Sequence, residues 1–255
     1  EPFDEAGINV SSYLLGRRAL QHDAVVLTGD GGDELFAGHP VYEADALAQR
    51  VDRMPRWLRS SALALLRRLP DSRKKQDVWV KLKRFAEGLS LPPALLSNRW
   101  RAHYQPETLK QLLHPAVARQ IDWDRLFDPL IACGQGANDE DLLSQALYAD
   151  YQSILQFYLR RNDMLRALGV EARCPMLDHR LVEYCAKIPP AMKVPKWSDN
   201  KAIMRKAVAP VLPSQIAHRG DKLGHSVPLK NWLRENQAGR GFVLRELSAQ
   251  GLGGR

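Results

Sequence analysis

The stretch AVVLTGDGGDELFAG, residues 24–38, decides the fold class of this chain. A short apolar and β-branched run, residues 24–28, leads into a glycine-rich turn that a new apolar pattern follows. Continuous apolar runs of this length are typical of buried strands in parallel sheets. The preceding residues 8–23 carry apolar side chains at helical spacing, with Ser11 or Ser12 as the candidate cap. Helix, strand, glycine turn and helix predict half of an α/β unit.

Three glycines at the end of this strand predict a ligand-binding turn. Gly29, Gly31 and Gly32 permit positive φ angles and a close approach of the backbone to a ligand. Successive backbone N–H groups in such a turn form a concave anion-binding nest. Because open α/β sheets bind ligands at the carboxyl ends of their strands, the turn is a candidate nucleotide-phosphate site.

Three carboxylates lie among these glycines and would repel a bare phosphate: Asp30, Asp33 and Glu34. A divalent cation would resolve the conflict, since Mg²⁺ takes one or two protein carboxylates and completes its shell with phosphate oxygens and water. The metal ligands expected on this basis are Asp33 and Glu34. The alternative is a plain strand-to-helix turn, in which the same two side chains favour the positive end of the next helix.

The composition is that of a folded, water-soluble protein, with 255 residues, 45% hydrophobic and 26% charged. No apolar run reaches the roughly 20 residues of a membrane span, so we expect no membrane and a cytoplasmic location. The net charge of +8 permits nucleic-acid binding, but its densest clusters, residues 67–75 and 80–85, are typical of a solvated helical surface. Three scattered cysteines exclude a complete disulfide framework and a cysteine metal site: Cys133, Cys174 and Cys185.

Helical patterns dominate the rest of the chain, and only residues 169–175, GVEARCP, offer a second extended piece. Further partners of the first strand are expected upstream, and both ends look cut, so we interpret the chain as a fragment. The whole chain is predicted to be one partial domain in four segments. These are the α/β core with its acidic turn, a helical region, active-site return segments and a truncated tail: 1–40, 41–165, 166–235 and 236–255.

The second extended piece carries two candidate catalytic residues, Glu171 and Arg173. Two positions apart on a strand, they project to the same side. Arg173 can bind a carboxylate or phosphate through two hydrogen bonds, and Glu171 can orient it or an amine. The alternative is a buried Glu–Arg pair that joins two elements. Asp178 and Arg180 are interpreted as a turn and the start of a helix.

Four motifs in order resemble the C-terminal synthetase domain of glutamine-hydrolysing asparagine synthetases. LTGDGGDELFAG is similar to the family's Gly-Gly-Asp-Glu-Leu-Phe-Gly-Gly segment, and GVEARCPMLDHRLVEYCAKIP to its Glu-Ala-Arg-Val-Pro-Phe-Leu-Asp segment. NKAIMRKAVAPVLPSQIAHR resembles its Lys-x-x-x-Arg helix, and KLGHSVPLKNWL its Lys-Met-Gly-Phe-x-Val-Pro-Leu segment. The motifs span these ranges: 27–38, 169–189, 200–219 and 222–233.

The resemblance implies an α/β, adenine-nucleotide alpha-hydrolase-like (ATP-pyrophosphatase) domain that uses ATP and Mg²⁺. ATP would activate the side-chain carboxylate of aspartate as an acyl-adenylate, and ammonia would then displace AMP to give asparagine. By the same resemblance Thr28 and Gly29 contact the nucleotide, and Asp30 supports the adenylate step. Asp33 binds Mg²⁺ and pyrophosphate, and Lys222 stabilises the charge that develops on the phosphates.

Two parts of the family pattern have no counterpart in this sequence, the Ser-Gly-Gly-x-Asp-Ser phosphate loop and the glutaminase domain with its terminal Cys. We therefore expect the fragment alone to be inactive, ammonia to come from a glutaminase domain outside this chain, and a homodimer to be possible. Met176 and His225 stand where the family has Phe, and His225 is interpreted as a hydrogen-bonded packing residue.

Other functions stay open at this point. The resemblance also fits a relative that amidates another carboxylate, such as an envelope sugar acid or a β-amino acid that closes to a lactam. The net positive charge is also compatible with a helical module that binds nucleic acid or protein.

Overall fold

A computed structural model gives a mostly helical chain with a small two-stranded sheet. It describes residues 6–55, 57–58, 61, 64, 78–102, 104–137, 141–196, 199–217, 241 and 245. The α-helices in these ranges are α1 (Ala6–Ala19), α2 (Gly32–Phe36), α3 (Val41–Asp52), α4 (Val78–Leu89), α5 (Pro106–Leu112), α6 (Pro115–Ala118), α7 (Asp128–Gln135), α8 (Leu142–Gln152), α9 (Ile154–Leu159), α10 (Asn162–Arg166), α11 (His179–Ala186), α12 (Pro190–Lys193), α13 (Ala202–Val208) and α14 (Ser214–Ala217). Two 3₁₀ helices cover Pro93–Trp100 and Pro175–Leu177.

The sheet pairs the predicted strand with the second extended piece. Strand β1 (Val25–Leu27) lies parallel to β2 (Glu171–Arg173), and the Thr28 N–H donates to the Arg173 carbonyl at 2.8 Å. Both extended pieces are therefore confirmed. The prediction that β1 is buried is wrong, since Leu27 is 74% exposed. Val25 and Val26 are half-buried, and in the described residues β1 has one strand neighbour.

Helix α1 confirms the first predicted helix with shifted ends, residues 6–19 in place of 8–23. The proposed cap is wrong, because Ser11 and Ser12 lie well inside the helix rather than before its first residue. The helical pattern extends two residues further towards the N-terminus than the apolar periodicity indicated. At the other end, the Asp23 N–H donates to the Ala19 carbonyl at 2.9 Å and closes a turn before β1.

The chain divides into two compact units, and the division passes through both strands. The first unit comprises residues 1–26, 160–172 and 220–255. In its described part α1 packs against α10, and Gly16 lies directly over two leucine side chains. A Cβ at Gly16 would come within 2.8 Å of a Leu168 methyl and 2.9 Å of a Leu165 methyl, so a larger residue here would require these side chains to shift.

The second unit comprises residues 27–159 and 173–219 and contains two apolar clusters. The buried members of the first are Ala37, Tyr42, Leu96, Ala146, Leu147 and Ala149. The buried members of the second are Leu35, Phe36 and Cys185. Because α2 supplies two residues of the second cluster, the helix that follows the acidic turn is fixed to the core of this unit.

A hydrogen-bonded carboxylate lies at the centre of the second unit. Asp150 on α8 is fully buried and accepts hydrogen bonds from Tyr42 at 2.7 Å and Ser97 at 2.5 Å. Arg101 donates two more, each 2.7 Å long, in a bidentate ion pair. Burial raises the pKa of Tyr42 well above its usual value, with Asp150 adding to the shift. The network therefore keeps the tyrosine protonated.

A second buried carboxylate, Asp45 on α3, is less well satisfied. Its Oδ1 accepts from Trp100 Nε1 at 2.8 Å and lies 3.5 Å from Arg99 Nη2. Its Oδ2 has no hydrogen-bond partner among the described residues. Burial raises the pKa of Asp45 from 3.8 to about 6, even though Trp100 and Arg99 lower it. Asp45 is thus a carboxylate that folding pushes towards its protonated form.

The prediction that helices dominate beyond residue 42 is confirmed. Residues 142–166 contain three separate helices, α8 to α10. Residues 80–85, one of the basic clusters, lie in α4, and the other, residues 67–75, falls outside the described residues. In the part of the chain that the structure describes, no helix is both long and apolar enough to cross a membrane.

Candidate active site

The acidic turn begins with a hydrogen-bonded pair at the end of β1. The Thr28 hydroxyl donates to Asp30 Oδ2 at 2.8 Å. The Sγ atom of Cys174, which directly follows β2, lies 3.2 Å from the Thr28 hydroxyl and 4.0 Å from Asp30 Oδ2. The paired strands therefore hold a hydroxyl, a carboxylate and a thiol together at their carboxyl ends.

Glycine is required at Gly31, which has a φ of 88°. A Cβ at this position would also overlap the side chain of Leu177 in the second 3₁₀ helix. Gly29 and Gly32 lie outside the positive-φ region, so the prediction of positive φ holds for Gly31 and not for these two. At Gly29 an added Cβ would meet nothing within 4 Å, which leaves open space beside this part of the backbone.

Asp33 carries an ion pair that the sequence analysis did not anticipate. Its Oδ1 lies 2.8 Å from the Nζ atom of Lys201, just before α13, and both side chains are about one quarter exposed, at 25% and 29%. A Cβ at Gly38 would overlap both the Asp33 carboxylate and the Lys201 side chain. The Asp33 carboxylate is therefore partly accessible and is paired with a cationic group, the Lys201 ammonium.

Glu34, the neighbouring acid, points into a different environment. Its Oε1 lies 3.0 Å from the Nε2 atom of His39, and its side chain is only 3% exposed. The rings of Tyr42 and Tyr158 lie about 6 Å from the His39 ring. Of the two acids expected to bind metal, Asp33 has the accessible carboxylate, and the carboxylate of Glu34 is buried against an imidazole.

The two candidate residues on β2 are both exposed. Glu171 and Arg173 flank the half-buried Ala172, in the alternation that a strand imposes. A buried Glu–Arg pair, the alternative that the sequence left open, does not fit this exposure. The Glu171 N–H donates to the Ala24 carbonyl at 2.7 Å, so the backbone at this point is tied into the sheet.

Among the other residues that the sequence singled out, Asp178 and Arg180 begin a helix as predicted. Asp178 is the N-cap of α11 and accepts from the Arg180 backbone N–H at 2.9 Å. Lys222 and His225 lie outside the described residues. Within the described ranges no group of three or more His, Cys, Asp or Glu side chains is arranged to hold a metal ion.

Sequence reasoning missed two partners in this site, Lys201 and His39. Lys201 belongs to the NKAIMRK segment that was matched as a motif, but no role was assigned to it. His39 was given no role in the sequence analysis, although its place five residues after Glu34 allows a return contact across the end of α2. The spacing Glu-x₄-His was the available signal for the second pair, and nothing local indicated the first.

Comparison with known proteins identifies the family. The asparagine synthase family model matches residues 4–252. Asparagine synthetase [glutamine-hydrolyzing] 1 of Bacillus subtilis is 25% identical over 226 residues, which cover 87% of this chain and 33% of the relative. Asparagine synthetase [glutamine-hydrolyzing] 3 of the same organism is 30% identical over 216 residues, covering 82% and 28%.

A differently named relative is the amidase chyE of Penicillium rubens, 24% identical over 263 residues that cover 86% of this chain and 35% of the relative. No solved structure matches this chain. The chain spans about a third of the length of the curated relatives that it matches. With the family model matched along almost its entire length, the chain belongs to the asparagine synthase family.

Proposed function

We propose that this chain is the ATP-dependent synthetase part of a glutamine-dependent ligase that converts aspartate to asparagine. ATP adenylates the side-chain carboxylate of aspartate and releases pyrophosphate. Ammonia, derived from glutamine by a glutaminase domain outside these 255 residues, then attacks the acyl carbon and displaces AMP. The observation that carries the proposal is the partly exposed Asp33 carboxylate on a glycine turn at the carboxyl end of a parallel strand.

The turn offers two kinds of contact to a nucleotide. Open space beside Gly29 leaves room for a phosphate against the backbone. The Thr28 hydroxyl donates to Asp30 and so restricts the rotation of that carboxylate. A fixed carboxylate here would position the reacting groups during adenylation, because orientation of reactants lowers the barrier before any bond is made.

Magnesium fits the donor chemistry of Asp33. The carboxylate is partly accessible and already has a cation, the Lys201 ammonium, at 2.8 Å. Mg²⁺ needs only one or two protein carboxylates when phosphate oxygens and water complete its shell. Asp33 would hold the ion, with Glu34 as a further ligand only if its contact with His39 opens. When bound, the ion supplies charge neutralisation for the leaving pyrophosphate.

Three further side chains complete the proposed site. Arg173 would bind the carboxylate of the acceptor through two hydrogen bonds, the geometry for which a guanidinium is best suited. Glu171, exposed on the same strand, would orient the amino group of that substrate or the entering ammonia. Lys222 would stabilise the negative charge that develops on the phosphates during adenylation.

The experiment follows one oxygen atom through the reaction of the complete protein encoded by the reading frame that contains this sequence. Aspartate labelled with ¹⁸O in its side-chain carboxylate is incubated with ATP, Mg²⁺ and glutamine. Adenylation leaves one carboxylate oxygen on the phosphate of AMP when ammonia displaces it. We therefore expect AMP that carries ¹⁸O, pyrophosphate that carries no label, and asparagine. The three products should form in equal amounts.

Three outcomes would contradict the proposed chemistry. Formation of ADP and phosphate would mean that the carboxylate is activated by phosphorylation. Unlabelled AMP, or asparagine formation that continues without ATP, would exclude an acyl-adenylate. Replacing aspartate with other carboxylic acids in the same assay tests the acceptor, and labelled AMP from another acid alone would reassign the substrate while keeping the chemistry.

A further inference from the structure

We propose that Lys201 is a built-in counter-cation that occupies the Asp33 carboxylate until a divalent metal displaces it. The inference rests on the proposed role of Asp33 as a metal ligand. The Lys201 ammonium lies 2.8 Å from Asp33 Oδ1 and so pairs with the carboxylate that the metal would use. The carboxylate is therefore neutralised in the absence of metal, and the metal must compete with the ammonium.

The backbone around Lys201 is shaped to hold it at the turn. Lys201 has a φ of 58°, in the left-handed region that non-glycine residues rarely adopt. This conformation costs an L-residue roughly 1–2 kcal/mol, so the surrounding structure must stabilise it. The Lys201 N–H donates to the Phe36 carbonyl at 3.1 Å, which ties the start of α13 to the end of α2.

A third residue, Gly38, makes room for the pair. A Cβ at this position would overlap Asp33 Oδ1 and the Lys201 Cε atom. Two separate segments of the chain, residues 33–38 and the start of α13, therefore meet with a fit that any larger residue at position 38 would disrupt. Three features therefore define the geometry: the backbone hydrogen bond of Lys201, the space left by Gly38, and the ion pair with Asp33.

The ion pair is weak enough to be exchanged. Both side chains are about one quarter exposed, so water screens their attraction. Exposed pairs of this kind contribute about 0–1 kcal/mol. A divalent cation carries twice the charge of an ammonium and interacts correspondingly more strongly with the same carboxylate. Metal binding would therefore release Lys201 without disturbing the apolar contacts that anchor α2.

The test measures metal binding by the complete protein directly, with Mn²⁺ as a spectroscopic probe for Mg²⁺ in electron paramagnetic resonance titrations. Lys201→Met removes the charge while keeping a long side chain, and Lys201→Gln is a second neutral variant. Lys201→Arg keeps the charge and serves as the matched control. Circular dichroism of each variant checks that it is folded.

Because both neutral variants remove the competitor, each should bind Mn²⁺ about threefold more tightly than the wild type, within the roughly fivefold limit set by the strength of an exposed ion pair. Lys201→Arg should bind like the wild type. Asp33→Asn should weaken binding in the wild-type and Lys201→Met backgrounds alike.

The outcomes separate this inference from the proposed function. If Asp33→Asn weakens Mn²⁺ binding but neither neutral variant strengthens it, the counter-cation role is overturned and the metal role of Asp33 stands. If Asp33→Asn leaves binding unchanged, the metal role fails as well. Absence of Mn²⁺ binding by Lys201→Met would also overturn the inference, since a vacated Asp33 should then accept the ion.

Discussion

Two aspartates in the second unit, Asp150 and Asp33, each pair with a basic side chain, and they differ in almost everything else. Asp150 is fully buried, and its two oxygens are held by Arg101, Tyr42 and Ser97. Asp33 is one quarter exposed and forms an ion pair with Lys201.

The difference shows how one kind of ion pair can serve structure in one place and binding in another. A buried carboxylate with every lone pair engaged cannot change partners without a large penalty. A carboxylate open to water can exchange one cation for another at little cost. Burial, rather than the identity of the two residues, therefore separates Asp33, the proposed metal ligand, from the structural Asp150.

The largest expected effect is that of Asp150→Ala, which removes the carboxylate that pairs with the largely buried Arg101 guanidinium. Loss of one partner of a buried ion pair typically costs about 3–5 kcal/mol. Urea denaturation should therefore show a large drop in the midpoint. Asp178→Asn, in an exposed pair with Arg180, is the control and should leave the midpoint nearly unchanged. Equal shifts for the two variants would refute the contrast between buried and exposed pairs.

The second effect concerns Asp45. Burial raises the pKa of its carboxyl group from 3.8 to about 6. Between these values the folded state holds a proton that the unfolded state has lost, so stability falls as pH rises. Protonation of Asp45 thus contributes roughly 3 kcal/mol to the free energy of unfolding below about pH 4, and this contribution is lost by about pH 6.

Urea denaturation of the wild type and of Asp45→Asn across this pH range measures that contribution. The free energy of unfolding of the wild type should fall relative to that of Asp45→Asn as pH rises, because asparagine does not titrate. A constant difference between the two proteins from about pH 4 to about pH 7 would show that folding does not shift the pKa of Asp45.

A smaller effect is expected for His39→Leu, which removes the partner of the buried Glu34 carboxylate. Leaving a buried acceptor unsatisfied costs about 1–3 kcal/mol. His39→Gln keeps an N–H donor and should recover much of the loss, as thermal unfolding would report. If glutamine and leucine destabilise equally, the contribution of His39 is packing, and Glu34 is free to serve as a metal ligand.

The smallest effect on stability is expected at Asp33, the proposed metal ligand. Asp33→Ala removes a partly exposed ion pair and should lower the free energy of unfolding by less than about 1 kcal/mol. A loss as large as that of Asp150→Ala in the same urea titration would mean that Asp33 is structural, and the distinction between the two acids would fail.

Local patterns in the sequence predicted the elements that surround the turn. The β-branched run gave the position of β1, the extended stretch around Glu171 gave β2, and Asp178 was recognised at the start of α11. These features depend on periodicity and on residues close together in the chain. The prediction that β1 is buried was wrong. Apolar composition indicates what a strand can bury, but other parts of the structure decide how much of it is covered.

Tertiary contacts account for what was missed. Lys201 reaches Asp33 from a segment far along the chain, through a left-handed backbone that no local propensity favours. The role of Asp150 had a weak signal, an acid within the apolar stripe of α8 beside Ala146 and Leu147. Its partners Arg101 and Tyr42 come from other segments, so the sequence indicated a buried acid but could not identify its hydrogen-bond partners.

The central claim is that Asp33 holds the magnesium ion that activates the leaving pyrophosphate. Its most direct test is the exchange of labelled pyrophosphate into ATP by the complete protein, with aspartate and Mg²⁺ present. Asp33→Asn should abolish exchange while Asp178→Asn retains it, and both variants should remain folded. Exchange by Asp33→Asn at the rate of the wild type would contradict the account.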